Sequence, residues 1–174
     1  IYLICVIISL LWGIREFGFR RQINNKNNEL ELWKTYFYYS FSLQVLFLGD
    51  NLQKLSPILT ETNILLFGFS QGGAVVYHQG LRHPQQLAGL ACLSTYLPFA
   101  EDVATQASDA NKSIPILVNH GSFDAVVPVS MGEASVATLK ALGYSVEWQQ
   151  YPMEHQVMME QIEALGKWID SIYQ

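Results

Sequence analysis

Two rhythms of apolar residues run along the chain. Ile64 to Phe67, Ala88 to Leu93 and Ile114 to His120 are short, largely apolar runs, the pattern of strands buried on both faces of a parallel sheet. Tyr144 to Gln150 adds a last strand. Between these runs the spacing changes. Gly73 to Gln79 reads as helix until His83-Pro84 stops it, and Val127-Pro128 opens another. Near the end, Met158, Ile162, Leu165, Ile169 and Ile172 recur at steps of four, three, four and three, so one face of a final helix should pack on the sheet. Strand and helix thus alternate from Ile64 onward, which predicts an α/β fold with a mostly parallel sheet and flanking crossover helices.

The first 50 residues have a different character. Ile1 to Trp12 is apolar, and the first charge is Arg15. A membrane span needs about 20 apolar residues, so this stretch reads as a buried segment, the tail of a truncated span or an export core without its leader. Gln22 to Glu29, with four asparagines, reads as a linker or long loop. An aromatic-rich run follows, with a strand expected within Leu43 to Leu48 and a turn at Gly49-Asp50-Asn51. The expected division is an atypical segment over 1–50 and an α/β portion over 51–174.

Composition sharpens the picture. Of 174 residues, 50% are apolar and 14% charged, which excludes a wholly disordered chain. The formal net charge is −5, made of +2 over residues 1–34 and −7 over the rest, and only 10 residues are Lys or Arg. No basic stripe exists to neutralise phosphates, so no nucleic acid partner is expected. Cys5 and Cys92 stand in unrelated contexts without a Cys-x-x-Cys pair, and neither a disulfide scaffold nor a metal site is expected.

The candidate chemistry starts at Gly68-Phe69-Ser70-Gln71-Gly72, which lies between an expected strand and an expected helix. The bare G-x-S-x-G pattern arises by chance in about 6% of chains this long; the strand–turn–helix context is what makes it specific. In that context the glycines allow a tight turn and Ser70 projects its hydroxyl from a strained backbone. Helix-start N–H groups carry the positive end of the dipole, so the Gln71 N–H is a candidate oxyanion donor. A hydroxyl is a poor nucleophile at neutral pH and needs a base, itself held by a carboxylate. Asp124, in the turn leaving the Ile114 strand, and His155, in the loop leaving the last strand, follow in the order Ser, Asp, His. His120 is the competing base. His78 reads as a surface helix residue, His83 as a helix-end residue, Asp102 and Asp109 as caps or turn residues, and Glu154 as exposed.

These residues resemble the phospholipase/carboxylesterase family of α/β-hydrolases, which includes bacterial carboxylesterases and acyl-protein thioesterases. The resemblance rests on Gly68 to Ala74, Ser94-Thr95-Tyr96-Leu97-Pro98, His120 to Asp124 with Val126-Val127-Pro128, and Tyr151 to His155, and covers about Glu61 to Gln174. It implies Ser70 as nucleophile, Asp124 as orienting acid, His155 as base, Leu97 and Val126 lining an acyl pocket, and no cofactor. It departs in one respect. Family members carry an early His-Gly-Leu-Gly-like loop that supplies a second oxyanion donor, whereas no histidine precedes Ser70 here, and Leu48-Gly49-Asp50 is the nearest echo.

The function expected is therefore a serine hydrolase of small acyl esters or thioesters acting through an acyl-enzyme. The alternative is a catalytically impaired remnant or interaction module with an incomplete oxyanion hole. A form tethered to a membrane through Ile1 to Trp12 is the weakest option, and the cytoplasm is the default compartment. The Ile64 strand, apolar on both faces, needs a neighbour on each side; either Leu43 to Leu48 pairs there or the bare edge mediates self-association.

Overall fold

The structure is a computed structural model that describes the backbone of residues 2–6 and, in full, residues 64–173. Five parallel strands form one sheet in chain order: β1 (Tyr2–Val6), β2 (Ile64–Phe69), β3 (Gly89–Leu93), β4 (Ile116–Gly121) and β5 (Val146–Tyr151). Helix α1 (Gln71–Arg82) follows β2, α2 (Val103–Gln106) follows β3, α3 (Val129–Ala141) joins β4 to β5, and α4 (Met159–Ile172) closes the described chain.

Period-two alternation explains how the helices cover the sheet. Ile64 and Leu66 of β2, Leu90 and Cys92 of β3, and Ile116 and Val118 of β4 point to one face, where they meet Ala74, Val75, Val76, Tyr77 and Leu81 of α1 and Val136 and Leu139 of α3. Ala91, Leu93 and Leu117 point the other way, against Leu165, Trp168 and Ile169 of α4. With helices on both faces, every residue of β3 and β4 is buried, as continuous apolar runs require. Each fully buried leucine contributes about 1.5–3 kcal/mol. Strand β5 has no further neighbour among the described residues and stays half-exposed.

Three expectations are corrected here. β2 does need a second neighbour, but the described partner is Tyr2–Val6, in parallel register with Tyr2 opposite Ile64 and Val6 opposite Gly68. With β1 on one side and β3 on the other, β2 has no bare edge to recruit a second copy, and Leu43 to Leu48 lies outside the described residues. Of the opening apolar stretch, Tyr2–Val6 is a strand, and no helix of the described residues is long and apolar enough to cross a membrane. On α4 the buried face is rotated from the apolar repeat: Ile162 is 44% exposed, while Gln161, one turn before Leu165, is buried.

The third correction concerns His78. It is half-buried on α1 rather than a surface residue, its ring set edge-on to Phe99 at 5.9 Å. Burial, reinforced by the Arg82 cation one turn on, lowers its pKa from 6.5 to about 4. The folded chain thus binds this proton less tightly than the unfolded chain. Its stability contribution is complete above pH 6.5 and is lost as pH falls toward 4. Urea titrations should give a lower midpoint at pH 5 than at pH 7, with the difference reduced in His78→Gln; solvent screening keeps the effect modest.

Candidate active site

The nucleophile candidate is held by its backbone. Ser70 sits between β2 and α1 at φ 54° and ψ −124°, a region a non-glycine residue enters only at a cost of about 1–3 kcal/mol. Neighbouring strands and the helix fix it there: its N–H donates to the Leu93 carbonyl at 2.8 Å, and its carbonyl accepts from the N–H groups of Gly73 and Ala74 at 3.0 and 3.2 Å. The turn closes tightly because Gly68 lies against the helix start. A Cβ on Gly68 would come within 2.5 Å of the Gly72 carbonyl oxygen and 2.7 Å of the Gly73 nitrogen. The motif's first glycine is therefore required by a backbone crossing.

Two further loops leave the carboxyl ends of β4 and β5 and are joined to each other. Ser122 N–H donates to the Tyr151 carbonyl at 2.8 Å and Phe123 N–H to that of Met153 at 3.1 Å. Gly121 allows the crossing, since a Cβ there would come within 2.5 Å of the Glu154 carbonyl oxygen and would overlap that of Met153. Asp124 is 6% exposed. Its Oδ1 accepts from the N–H groups of Val126 and Val127 at 2.9 and 2.8 Å, which leaves Oδ2 directed at His155 Nδ1, 2.7 Å away. His155 Nε2 lies 2.9 Å from Ser70 Oγ. Because a carboxylate only accepts, Nδ1 carries the proton, and the Nε2 lone pair can accept from the hydroxyl. Phe69 supports the imidazole from below, its ring 4.8 Å away and tilted by 42°. That phenylalanine packs in turn against the α4 face of the sheet.

The other candidates fall as follows. Gln71 is the first residue of α1. Leu97 is buried in the α1–α3 core, with its N–H bonded to Ser135 Oγ, whereas Val126 is 52% exposed beside Asp124. His120 is fully buried, 3.6 Å from Asp124 Oδ2, and Ser70 Oγ is bonded to His155 instead. His83 caps the C-terminal end of α1 in extended conformation, Asp102 makes no side-chain cap on α2, Asp109 opens a 3-10 turn, and Glu154 is exposed. Burial pushes the Cys92 thiol and the adjacent Tyr77 hydroxyl well above their ordinary ranges, so neither competes as a nucleophile. A cleft of about 390 Å³ lined by Leu87, Pro115, Trp168 and Ile172 opens at the amino ends of β3 and β4, the opposite end of the sheet from Ser70. Leu48-Gly49-Asp50 lies outside the described residues. The support given by Phe69 escaped sequence reading, although alternation from Phe67 places the two rings on one face.

Comparison with known proteins gives a consistent result. The family model described as Phospholipase/Carboxylesterase matches residues 43–173, beginning earlier than the resemblance around Glu61 suggests. The acyl-protein thioesterase 1 of Gibberella zeae is 36% identical over 116 residues, which are 65% of this chain and 49% of the relative. A protein of Oryza sativa subsp. japonica named as a probable inactive carboxylesterase is 31% identical over 111 residues, 63% of this chain and 45% of its own length. The crystal structure of Arabidopsis thaliana SOBER1 superposes with a TM-score of 0.72 at 28% identity, over 78% of this chain and 66% of that one. The chain spans about half the length of the curated relatives it matches.

Proposed function

The chain belongs to the phospholipase/carboxylesterase family of α/β-hydrolases, and from that premise we propose that it hydrolyses carboxylic esters or thioesters with Ser70 as nucleophile, His155 as general base and Asp124 as the orienting acid. One observation carries the reading: an unbroken hydrogen-bonded chain from Asp124 Oδ2 through His155 to Ser70 Oγ. As Oγ attacks the acyl carbonyl, its proton passes to His155 Nε2, and the resulting imidazolium is stabilised by Asp124. The tetrahedral adduct collapses to an acyl-enzyme. The leaving alcohol or thiol takes the proton back from Nε2, and water then attacks the acyl carbon with His155 again serving as base. The acyl–Oγ bond breaks as Ser70 Oγ regains a proton from Nε2, and the acid is released. The Gln71 N–H, at the start of α1, is the donor assigned to the developing oxyanion. Val126, exposed beside Asp124, and Leu97, buried in the core, are the residues assigned to the acyl group. No cofactor takes part.

A fluorophosphonate probe tests the reading directly. Phosphonylation of the Gly68–Gly72 peptide at Ser70 is the expected result, and a folded sample that stays unlabelled would overturn it. A second reading, a catalytically impaired site, has its own supporting observation: a relative 31% identical to this chain is named as a probable inactive carboxylesterase. If the second oxyanion donor is lacking, about 2.7–4 kcal/mol of transition-state stabilisation is lost. In that case Ser70 labels slowly and turnover is weak.

A further inference from the structure

His120 lies near the same carboxylate oxygen as His155, 3.6 Å from Asp124 Oδ2. It is the penultimate residue of β4, and alternation puts its side chain on the α1–α3 face with Ile116 and Val118. There it is fully buried, its ring 6.0 Å from that of Trp148. Helix α3 leaves room for it only because residue 132 is glycine: a Cβ there would come within 2.5 Å of His120 Nδ1. Nε2 lies 2.9 Å from the Val127 carbonyl oxygen, and since a carbonyl only accepts, Nε2 carries the proton. Nδ1 has no hydrogen-bond partner. A buried polar ring held by a single hydrogen bond is expensive to retain as core filler, because an apolar ring of similar volume would leave no unsatisfied atom.

That single bond falls on a residue that also holds the carboxylate. The Val127 N–H is one of the two donors that grip Asp124 Oδ1, and its carbonyl is the acceptor for His120. The same Nε2–H also lies 3.6 Å from Asp124 Oδ2, the oxygen that meets His155. We propose that His120 is a positioning residue: by holding the Val127 carbonyl it fixes the loop whose N–H groups turn the Asp124 carboxylate toward His155. The inference rests on the Ser70–His155–Asp124 reading and extends it to a fourth side chain, which never meets substrate.

The test uses the full chain with His120→Phe, which keeps ring volume without the donor, and His120→Gln, whose amide places an N–H near the position of Nε2. Two signals are read: p-nitrophenyl ester kinetics, and the low-field proton resonance of the Asp124–His155 hydrogen bond. His120→Phe should lower kcat about 10- to 100-fold with little change in KM, as a small misplacement of a catalytic group does. Its low-field resonance should be lost or shifted upfield. His120→Gln should recover most of both signals, which a merely space-filling role does not predict. Should the phenylalanine variant fail to fold, His120→Asn replaces it; its shorter amide falls short of the Val127 carbonyl and should behave as the phenylalanine variant would. Parent-like kcat and resonance in a folded His120→Phe, or a glutamine variant as impaired as phenylalanine, would overturn the inference. Fluorophosphonate labelling of the parent separates the two levels. A labelled parent with an indifferent His120→Phe sinks only the role of His120, whereas an unlabelled, folded parent sinks the underlying reading while the resonance still reports on His120.

Discussion

Ser70→Ala should reduce ester turnover by about 10⁴- to 10⁶-fold, the range seen when the nucleophile of a Ser-His-Asp site is removed, while leaving the urea midpoint close to that of the parent. Both halves follow from the geometry. In the proposed mechanism the chemistry depends on Oγ, the atom of residue 70 that is bonded to His155. The fold depends on that residue's backbone, whose N–H and carbonyl make the bonds to Leu93, Gly73 and Ala74 and are untouched by the substitution. Alanine also inherits the positive φ of 54°, so the strain at the turn is neither relieved nor increased. Stopped assays with a p-nitrophenyl acyl ester, paired with a denaturation curve, separate the two effects. Retained turnover in the alanine variant would place the nucleophile elsewhere.

Much of this arrangement was legible in the letters, for reasons that differ by element. Strands β2, β3 and β4 are buried on both faces, so their sequences are apolar without alternation and stand out. Helix α1 ends where Pro84 forces His83 into extended backbone. Ser70 and His155 were legible because each lies in a short loop after a recognisable strand. The failures share a cause: the deciding partner is distant in sequence. Tyr2–Val6 has no alternation of its own, and its strand character comes from β2, which begins at Ile64. Gln161 is buried because it continues the Leu165 face by one turn, and no polarity scale ranks it above Ile162. His120 is the lesser candidate for the base in the sequence because a histidine ending a strand can also serve that role. Its actual surroundings are set by Gly132 on α3 and by the Val127 carbonyl.

The second large effect is expected from Asp124→Asn, and here the direction is dictated by two backbone hydrogen bonds. An asparagine has one oxygen and one NH₂, and it must choose which faces the Val126 and Val127 N–H groups, 2.9 and 2.8 Å from Oδ1. Only the oxygen can accept from them, so the NH₂ is turned toward His155. A donor in that position forces His155 Nδ1 to become an acceptor and shifts the ring proton to Nε2. That nitrogen then presents a hydrogen to Ser70 Oγ instead of a lone pair, and the hydroxyl proton has no base to go to. A wrong tautomer of this kind costs about 10⁴ in kcat with the geometry intact. The expected variant is therefore folded and binds acyl substrate with a near-parent KM, but is nearly silent. The low-field Nδ1–H resonance of the parent should disappear. A kcat reduced less than about tenfold would mean that the carboxylate does not set the imidazole tautomer, and would remove Asp124 from the proposed site.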